Sequence, residues 1–242
     1  MSPTPALSVV MPVYNERESI EQVVREWVAA LDRLNIDYEF LVLDDGSKDG
    51  TDAALERIAK GSPALRVLLH SNRGHGPTIL RGYAETRGDW VLQIDSDGEI
   101  APDKFHDLWS PREEFDMVIG CRTNRSAPLV RRIVSGVSRA SVRLLFGPGI
   151  YDVNVPYRLV RGPLLRQMVA TLPPDLFAPN VILSGLAVRH RLRIRQVTVQ
   201  HIGRRHGSSS LGRLNVLRPA ALSLWQTWTA SRRNRGARSN RH

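Results

Sequence analysis

Cysteine is almost missing from this 242-residue chain: Cys121 is the only one. A single thiol excludes an internal disulfide framework and fits a reducing compartment. No run of 18 uncharged apolar residues occurs, so no bilayer-spanning helix is expected. The start, Met1-Ser2-Pro3-Thr4-Pro5, has no basic stretch followed by an apolar one, so no secretory leader is expected. Acids are scarce in the second half. Residues 1–120 hold 12 Lys+Arg and 22 Asp+Glu, whereas residues 121–242 hold 22 and 2. The last acid is Asp175, and the 67 residues after it carry 13 Arg. The overall charge of +10 therefore hides a net −10 half and a net +20 half. Such a split points the second half at something anionic: a phosphorylated lipid, a membrane surface or a nucleic acid. A merely solvated basic surface is the plain alternative.

What is present reads as globular α/β. Apolar residues make up 42% of the chain, enough for one large domain or two small ones. Leu7 to Val13, Phe40 to Leu43, Val67 to Leu69, Trp90 to Ile94 and Met117 to Ile119 are short continuous apolar runs, the pattern of strands buried on both faces. Helical spacing separates them: Ile20, Val23, Val24, Trp27, Val28, Leu31 and Leu34 in the first interval, Ala54, Leu55, Ile58 and Ala59 in the second. A helix is expected from about Pro77 to Thr86 and a short one over Phe105 to Trp109. The alternation predicts a mostly parallel sheet with helices on both faces. Past residue 122, helices are expected over Leu129 to Phe146 and Val181 to Val188, and strands over Tyr157 to Val160 and Leu192 to Val199. Gly203 to Gly212 reads as a Gly/Ser loop.

Ligands of such sheets bind at the carboxyl ends of strands. Four polar clusters fall there: Tyr14-Asn15-Glu16, Asp44-Asp45, Asn72-Arg73, and Asp95-Ser96-Asp97-Gly98-Glu99. Three carboxylates at alternating positions repel one another unless neutralised. A hard divalent cation, Mg²⁺ or Mn²⁺, is the simplest neutraliser, with Asp95, Asp97 and Glu99 as candidate ligands. Ordinary turn chemistry at Asp97-Gly98 is the alternative.

Val10-Met11-Pro12-Val13-Tyr14-Asn15-Glu16, Leu43-Asp44-Asp45-Gly46-Ser47-Lys48-Asp49-Gly50-Thr51, Asn72-Arg73-Gly74-His75-Gly76 and Asp95-Ser96-Asp97 together resemble an inverting family 2 glycosyltransferase of the GT-A fold. The later chain resembles that family's dolichyl- or polyprenyl-phosphate sugar synthases. Gly120-Cys121-Arg122 looks like their Gly-x-Arg, and Arg131-Arg132-Ile133-Val134-Ser135 like their basic helix. Asp152 with Tyr157-Arg158-Leu159 looks like their Asp…Phe-Arg-Leu segment. Arg204-Arg205-His206-Gly207-Ser208-Ser209-Ser210-Leu211 looks like their Arg-x-x-Gly-x-Ser-Lys-Leu loop. Ser210 and His75 stand where the family often has Lys, and Asn180 and Gln196 where it often has Glu.

The resemblance implies a nucleotide-diphosphate sugar such as GDP-mannose or UDP-glucose, held by Pro12, Tyr14, Glu16, Asp44, Asp45, Arg73, His75, Asp95 and Ser96. Asp44 or Asp45 would meet the base or ribose, or else close an Asx-turn. Asp95 and Asp97, with Arg122 and Arg204, would serve the departing diphosphate. A hydroxyl acceptor needs a general base. The stretch where the family often presents one is Phe177-Ala178-Pro179-Asn180-Val181, without an acid. A phosphate monoester, with a second pKa of about 6, needs no base. This favours a polyprenyl phosphate held by Arg131, Arg132, Ser135, Asp152, Arg158, Arg204 and Ser209. Asp152 is also read as the orienter of an arginine.

Residues 1–212 are then one GT-A domain, with a donor half over 1–121 and an acceptor half over 122–212. Residues 213–230 would be an amphipathic membrane-interface helix and 231–242 a disordered basic tail. Attachment would be peripheral, on the cytoplasmic face of the cell membrane. A hydroxyl-acceptor transferase is the competing enzyme reading. A nucleic-acid-binding protein is the competing reading from another class, and it leaves the acidic strand ends unexplained.

Overall fold

A computed structural model describes residues 4–123, 129–200 and 217–236. Seven strands form one sheet: β1 (Leu7–Val13), β2 (Tyr38–Asp44), β3 (Leu65–Leu69), β4 (Trp90–Gln93), β5 (Met117–Thr123), β6 (Arg158–Arg161) and β7 (Ile194–Gln200). Their order across the sheet is β3-β2-β1-β4-β6-β5-β7. All neighbours run parallel except β6, which is antiparallel to β4 and to β5. Every residue of β1 is buried, as expected of a central strand covered on both faces.

The helices are α1 (Ile20–Arg33), α2 (Thr51–Ala59), α3 (His75–Glu85), α4 (Phe105–Trp109), α5 (Leu129–Phe146), α6 (Gly162–Val169), α7 (Pro179–Arg189) and α8 (Leu217–Gly236). α1 buries Ile20, Val23, Val24, Trp27, Ala30 and Leu31 on one stripe. A buried aliphatic side chain contributes roughly 1.5–3 kcal/mol, so this stripe holds the helix more firmly than propensity could. α1 begins at Ile20 because the preceding residues are tied elsewhere. Asn15 takes a left-handed backbone (φ 53°). Its N–H donates to Ser47 Oγ (2.9 Å), and the Glu16 N–H donates to Thr51 Oγ1 (3.0 Å).

Trp27 joins the donor half to the later chain. Its ring lies 6.2 Å from Phe105 and 6.2 Å from Tyr157. α7 is buried along nearly its whole length, so its apolar surface runs all round. Gly76, in the first turn of α3, admits no side chain. A Cβ there would lie 1.9 Å from the carbonyl oxygen of Leu176, which presses the start of α3 onto the segment before α7.

Two expectations are corrected. Gly162–Val169 is a helix that the pattern did not announce; its Pro163 sits in the first turn, where no N–H is needed. α8 continues through Gly236, so residues 231–236 are helical rather than part of a disordered tail. The Ser231 carbonyl accepts from Arg189 Nη1 (2.6 Å), and Arg232 stacks over Trp228 at 4.0 Å. The Gly203–Gly212 stretch and residues 237–242 lie outside the described residues.

Candidate active site

The carboxyl ends of β1, β2 and β4 open into a cleft of about 640 Å³. Pro12, Tyr14, Glu16, Asp45, His75, Asp95, Ser96 and Asp97 all line it. These come from three of the four polar clusters and from the start of α3. Asn15, Asn72 and Thr78 line it as well. Asn15 and Asn72 belong to polar strand ends visible in the sequence; Thr78 carries no such signal.

The loops around the cleft are fastened by carboxylates that accept backbone N–H groups. Asp44 accepts from the Ser47 N–H (3.2 Å) and from Ser47 Oγ. It closes the turn and does not line the cleft, so the Asx-turn reading holds for Asp44. Asp45 accepts from the N–H groups of Arg73 (2.7 Å) and Gly74 (2.9 Å). That ties the β2 loop to the β3 loop, where a Cβ on Gly46 (φ 72°) would lie 2.6 Å from the Asn72 nitrogen. Arg73 takes part through its backbone; its side chain is exposed and does not line the cleft. Protein atoms crowd His75 and push its imidazole pKa down, while Asp45 pulls it up. The ring still faces open solvent in the cleft, which weakens the burial effect.

Asp97 is buried, and its Oδ1 accepts from the Glu99 N–H (3.1 Å). Gly98 between them takes a left-handed backbone (φ 66°). Asp95 and Asp97 line the cleft, whereas Glu99 does not. Among the described residues, no group of three His, Cys, Asp or Glu side chains is gathered to hold a metal ion. Of the expected ligands Asp95, Asp97 and Glu99, the first two line the cleft, and all three line a smaller gap beside it. Two hard oxygen donors in a polar cleft suit Mg²⁺ or Mn²⁺, which usually keep waters and take phosphate oxygens as further ligands.

A second cavity of about 230 Å³ lies beside β5 and α5, lined by Cys121, Arg122, Ser135, Arg139, Tyr151 and Asp152 among others. Arg122 and Asp152 form a two-pronged pair: Nε to Oδ2 at 2.8 Å and Nη2 to Oδ1 at 3.1 Å. Arg139 stacks over Tyr151 at 4.5 Å. A further gap of about 10 Å³, room for roughly one water, shares lining residues with both cavities. Asp95, Asp97, Glu99, Arg122 and Tyr157 line it. Asp95 and Asp97 thus face the cleft and the gap, and Arg122 faces the gap and the second cavity.

Arg158 is not where a phosphate could reach it. It is 1% exposed. Nε and Nη2 donate to the Val155 carbonyl (3.1 and 2.7 Å), Nη2 also to the Val153 carbonyl (3.3 Å), and Nη1 to the Asn180 carbonyl (3.2 Å) and Ser184 Oγ (3.4 Å). Burial pulls its pKa down, and Tyr83 and Asp152 pull it back up. Its assignment as a phosphate holder is corrected: it fastens backbone beneath the site. Asn180 is buried too, its Oδ1 accepting from Tyr83 Oη (3.4 Å), which also donates to Gln93 Oε1 (2.6 Å). Gln196 is spent on the loop before β6: its Oε1 accepts from the Tyr151 N–H (2.7 Å) and its Nε2 donates to the Gly149 carbonyl (2.9 Å). Asp175 is exposed and lines neither cavity. The side chains of Arg131 and Arg132, and all of Arg204 and Ser209, lie outside the described residues.

Comparison with known proteins agrees with this geometry. The profile of "Glycosyl transferase family 2" matches residues 8–150. An undecaprenyl-phosphate 4-deoxy-4-formamido-L-arabinose transferase of Pseudomonas fluorescens is 31% identical over 218 residues, covering 89% of this chain. One of the same description from Edwardsiella ictaluri is 28% identical over 214 residues, 87% of this chain. The chain spans only 63% and 64% of these two relatives' lengths. A glucosyl-3-phosphoglycerate synthase from Mycobacterium tuberculosis, crystallised with Mn²⁺, UDP-glucose and phosphoglyceric acid, superposes with a TM-score of 0.68 at 24% identity, covering 94% of this chain and 80% of that one. It shares the GT-A arrangement of sheet and helices.

Proposed function

This chain belongs to glycosyl transferase family 2, and from that we propose that it moves a sugar from a nucleoside diphosphate to a polyprenyl phosphate at the cytoplasmic face of a membrane. The observation that carries the reading is that one small gap shares lining residues with both cavities. The gap shares Asp95 and Asp97 with the polar cleft and Arg122 with the second cavity. A donor diphosphate in the cleft and a phosphate acceptor in the cavity would face each other across those side chains. The curated relatives, named for transfer to undecaprenyl phosphate, support the same acceptor class.

The charges support it too. Asp152 is the one carboxylate among the described residues lining the second cavity, and both its oxygens hold Arg122. Asn180, standing where the family often has an acid, is a buried amide. No base is offered to an alcohol there, and a phosphate monoester asks for none. In the reaction a phosphate oxygen of the lipid gives a lone pair to the anomeric carbon. The bond from that carbon to the donor's diphosphate breaks, and its electron pair leaves on the diphosphate oxygen. The anomeric configuration inverts and no proton has to move.

Asp45, through the loop it fastens, shapes the nucleotide end of the cleft together with Pro12, Tyr14, Glu16 and His75. Asp95 and Asp97 would hold a divalent cation, which when bound offsets the charge of the departing diphosphate. Asp152 holds Arg122 by Nε and Nη2, which leaves Nη1 to reach a phosphate. Ser135 and Arg139 line the same cavity. The test is direct. The full chain, given labelled UDP- or GDP-sugars, Mn²⁺ and undecaprenyl phosphate, should yield an organic-extractable product labile to mild acid. Label that stays water-soluble with every donor, or that enters only hydroxyl acceptors, would refute the proposal.

A further inference from the structure

α8 packs with its polar side inward. The residues it buries are Ser223, Gln226, Thr227, Ala230 and Ser231, while Leu222, Trp225 and Trp228 are 41%, 59% and 41% exposed. A helix seated by its own apolar stripe shows the reverse. The rotation is fixed by bonds on the inner side. Gln226 Oε1 accepts from the Phe177 N–H (2.9 Å), Gln226 Nε2 donates to the Asp175 carbonyl (3.4 Å), and the Ser231 carbonyl takes Arg189. At 3.6 residues per turn, Leu222, Trp225, Trp228, Arg218 and Arg232 fall within one sector of about 120°. Arg218 and Arg232 are exposed, and Arg232 stacks on Trp228. The neighbouring helix α5 carries two exposed apolar side chains of its own, Val137 and Leu144. No described helix is long and apolar enough to cross a membrane.

We propose that this outward face of α8 docks flat on a bilayer rich in anionic phospholipid. The chemistry selects that occupant. Indole rings settle at headgroup level. Arginines beside them meet lipid phosphates, each worth about 1 kcal/mol near an anionic surface. No acid follows Asp175, so α8 itself carries no acid that would repel such a surface. Docking also places the donor cleft. Gln226 pins α8 to residues 175–177, and the Leu176 carbonyl packs on Gly76 at the start of α3, beside His75 of the cleft.

The test uses the full chain with phosphatidylcholine vesicles, with and without phosphatidylglycerol, followed by sedimentation and tryptophan emission. Binding should require phosphatidylglycerol, shift the emission to the blue and be quenched by brominated acyl chains. Trp225→Ser with Trp228→Ser should weaken binding by at least about tenfold with unchanged circular dichroism and melting temperature. Trp225→Leu with Trp228→Leu should restore part of it. Arg218→Gln with Arg232→Gln should leave a residual affinity that no longer responds to salt. Equal binding by wild type and the double Ser variant overturns the proposal. So does a wild-type dimer that the double Ser variant dissociates, which would assign the face to a second copy. The acceptor chemistry is tested separately, with a short, water-soluble prenyl phosphate and no membrane present.

Discussion

The acidic and basic halves of the molecule do the same job with opposite charges. In the first half, carboxylates fasten loops by accepting backbone N–H groups: Asp44 for Ser47, Asp45 for Arg73 and Gly74, Asp97 for Glu99. In the second half, guanidinium groups fasten loops by donating to backbone carbonyls. Arg158 holds Val153, Val155 and Asn180; Arg166 holds Gly88; Arg189 holds Leu145 and Ser231. A surplus of one charge in a sequence therefore does not by itself mean a free surface or a free ligand. Part of each surplus is consumed internally, and the remainder is what a ligand can meet. Where the halves touch, the signs pair directly, as in Arg193 with Asp116 at 2.9 Å.

The sharpest way to break this comparison is to remove a charge that should be free for ligand and one that should not. Asp97→Asn keeps an acceptor for the Glu99 N–H but loses the charge. It should cost about 10²–10³-fold in kcat, with a melting temperature close to wild type, measured by sugar transfer and by thermal denaturation. Arg158→Met should do the opposite. It leaves buried carbonyls without donors and should cost about 3–5 kcal/mol of stability in urea unfolding, whereas Arg158→Lys should rescue little of it. A stable Arg158→Met variant that lost only acceptor binding would make Arg158 a phosphate holder after all.

A smaller effect separates the shared boundary. Asp152→Asn loosens Arg122 and should lower kcat/KM for the lipid acceptor by about 10- to 100-fold, while the KM for the donor changes little. The smallest effect concerns pH. Burial would raise the Glu39 pKa, but hydrogen bonds from Ser8, Arg87 and Arg66 outweigh it and hold the value below 4.5. Its folded pKa is depressed, so its contribution to stability is fully present above pH 4.5 and is lost as pH falls through the lower folded value. The melting-temperature gap between wild type and Glu39→Gln should therefore be widest at neutral pH and close in acid.

Much of the fold could be read from the chain, for identifiable reasons. β1, α4 and α5 have the bounds the pattern predicts, because continuous burial and helical spacing each leave a periodic trace. The direction of β6 leaves none: Arg158–Arg161 looks the same parallel or antiparallel. α6 was hidden because Gly162-Pro163 reads as a turn. At the site, polar clusters at strand ends contributed most of the side chains that line the cleft, but not Asp44 or Arg73. Clustering could not tell Asp44, which serves its own turn, from Asp45, which also faces the cleft. Nor could it tell a buried Arg158 from a phosphate-binding one, since the difference lies in carbonyls that only the fold brings near. The rotation of α8 was equally hidden, because its inner face is held by polar groups that a hydrophobic count assigns to water.

The reversed strand β6 has a consequence for how the molecule is made. It enters the sheet between β4 and β5, after both have been synthesised. Among the described residues β5 pairs only with β6 and β7, so a nascent chain that has just emerged past residue 123 carries a strand without either of these neighbours. The other flank of β4 is open over the same interval. The donor half, though it holds most of the cleft, is thus an unfinished edge on the ribosome until about residue 161 appears. A gene split near residue 121 should give two insoluble fragments, and co-expression should recover folded material only if the second piece arrives while that edge is still bare.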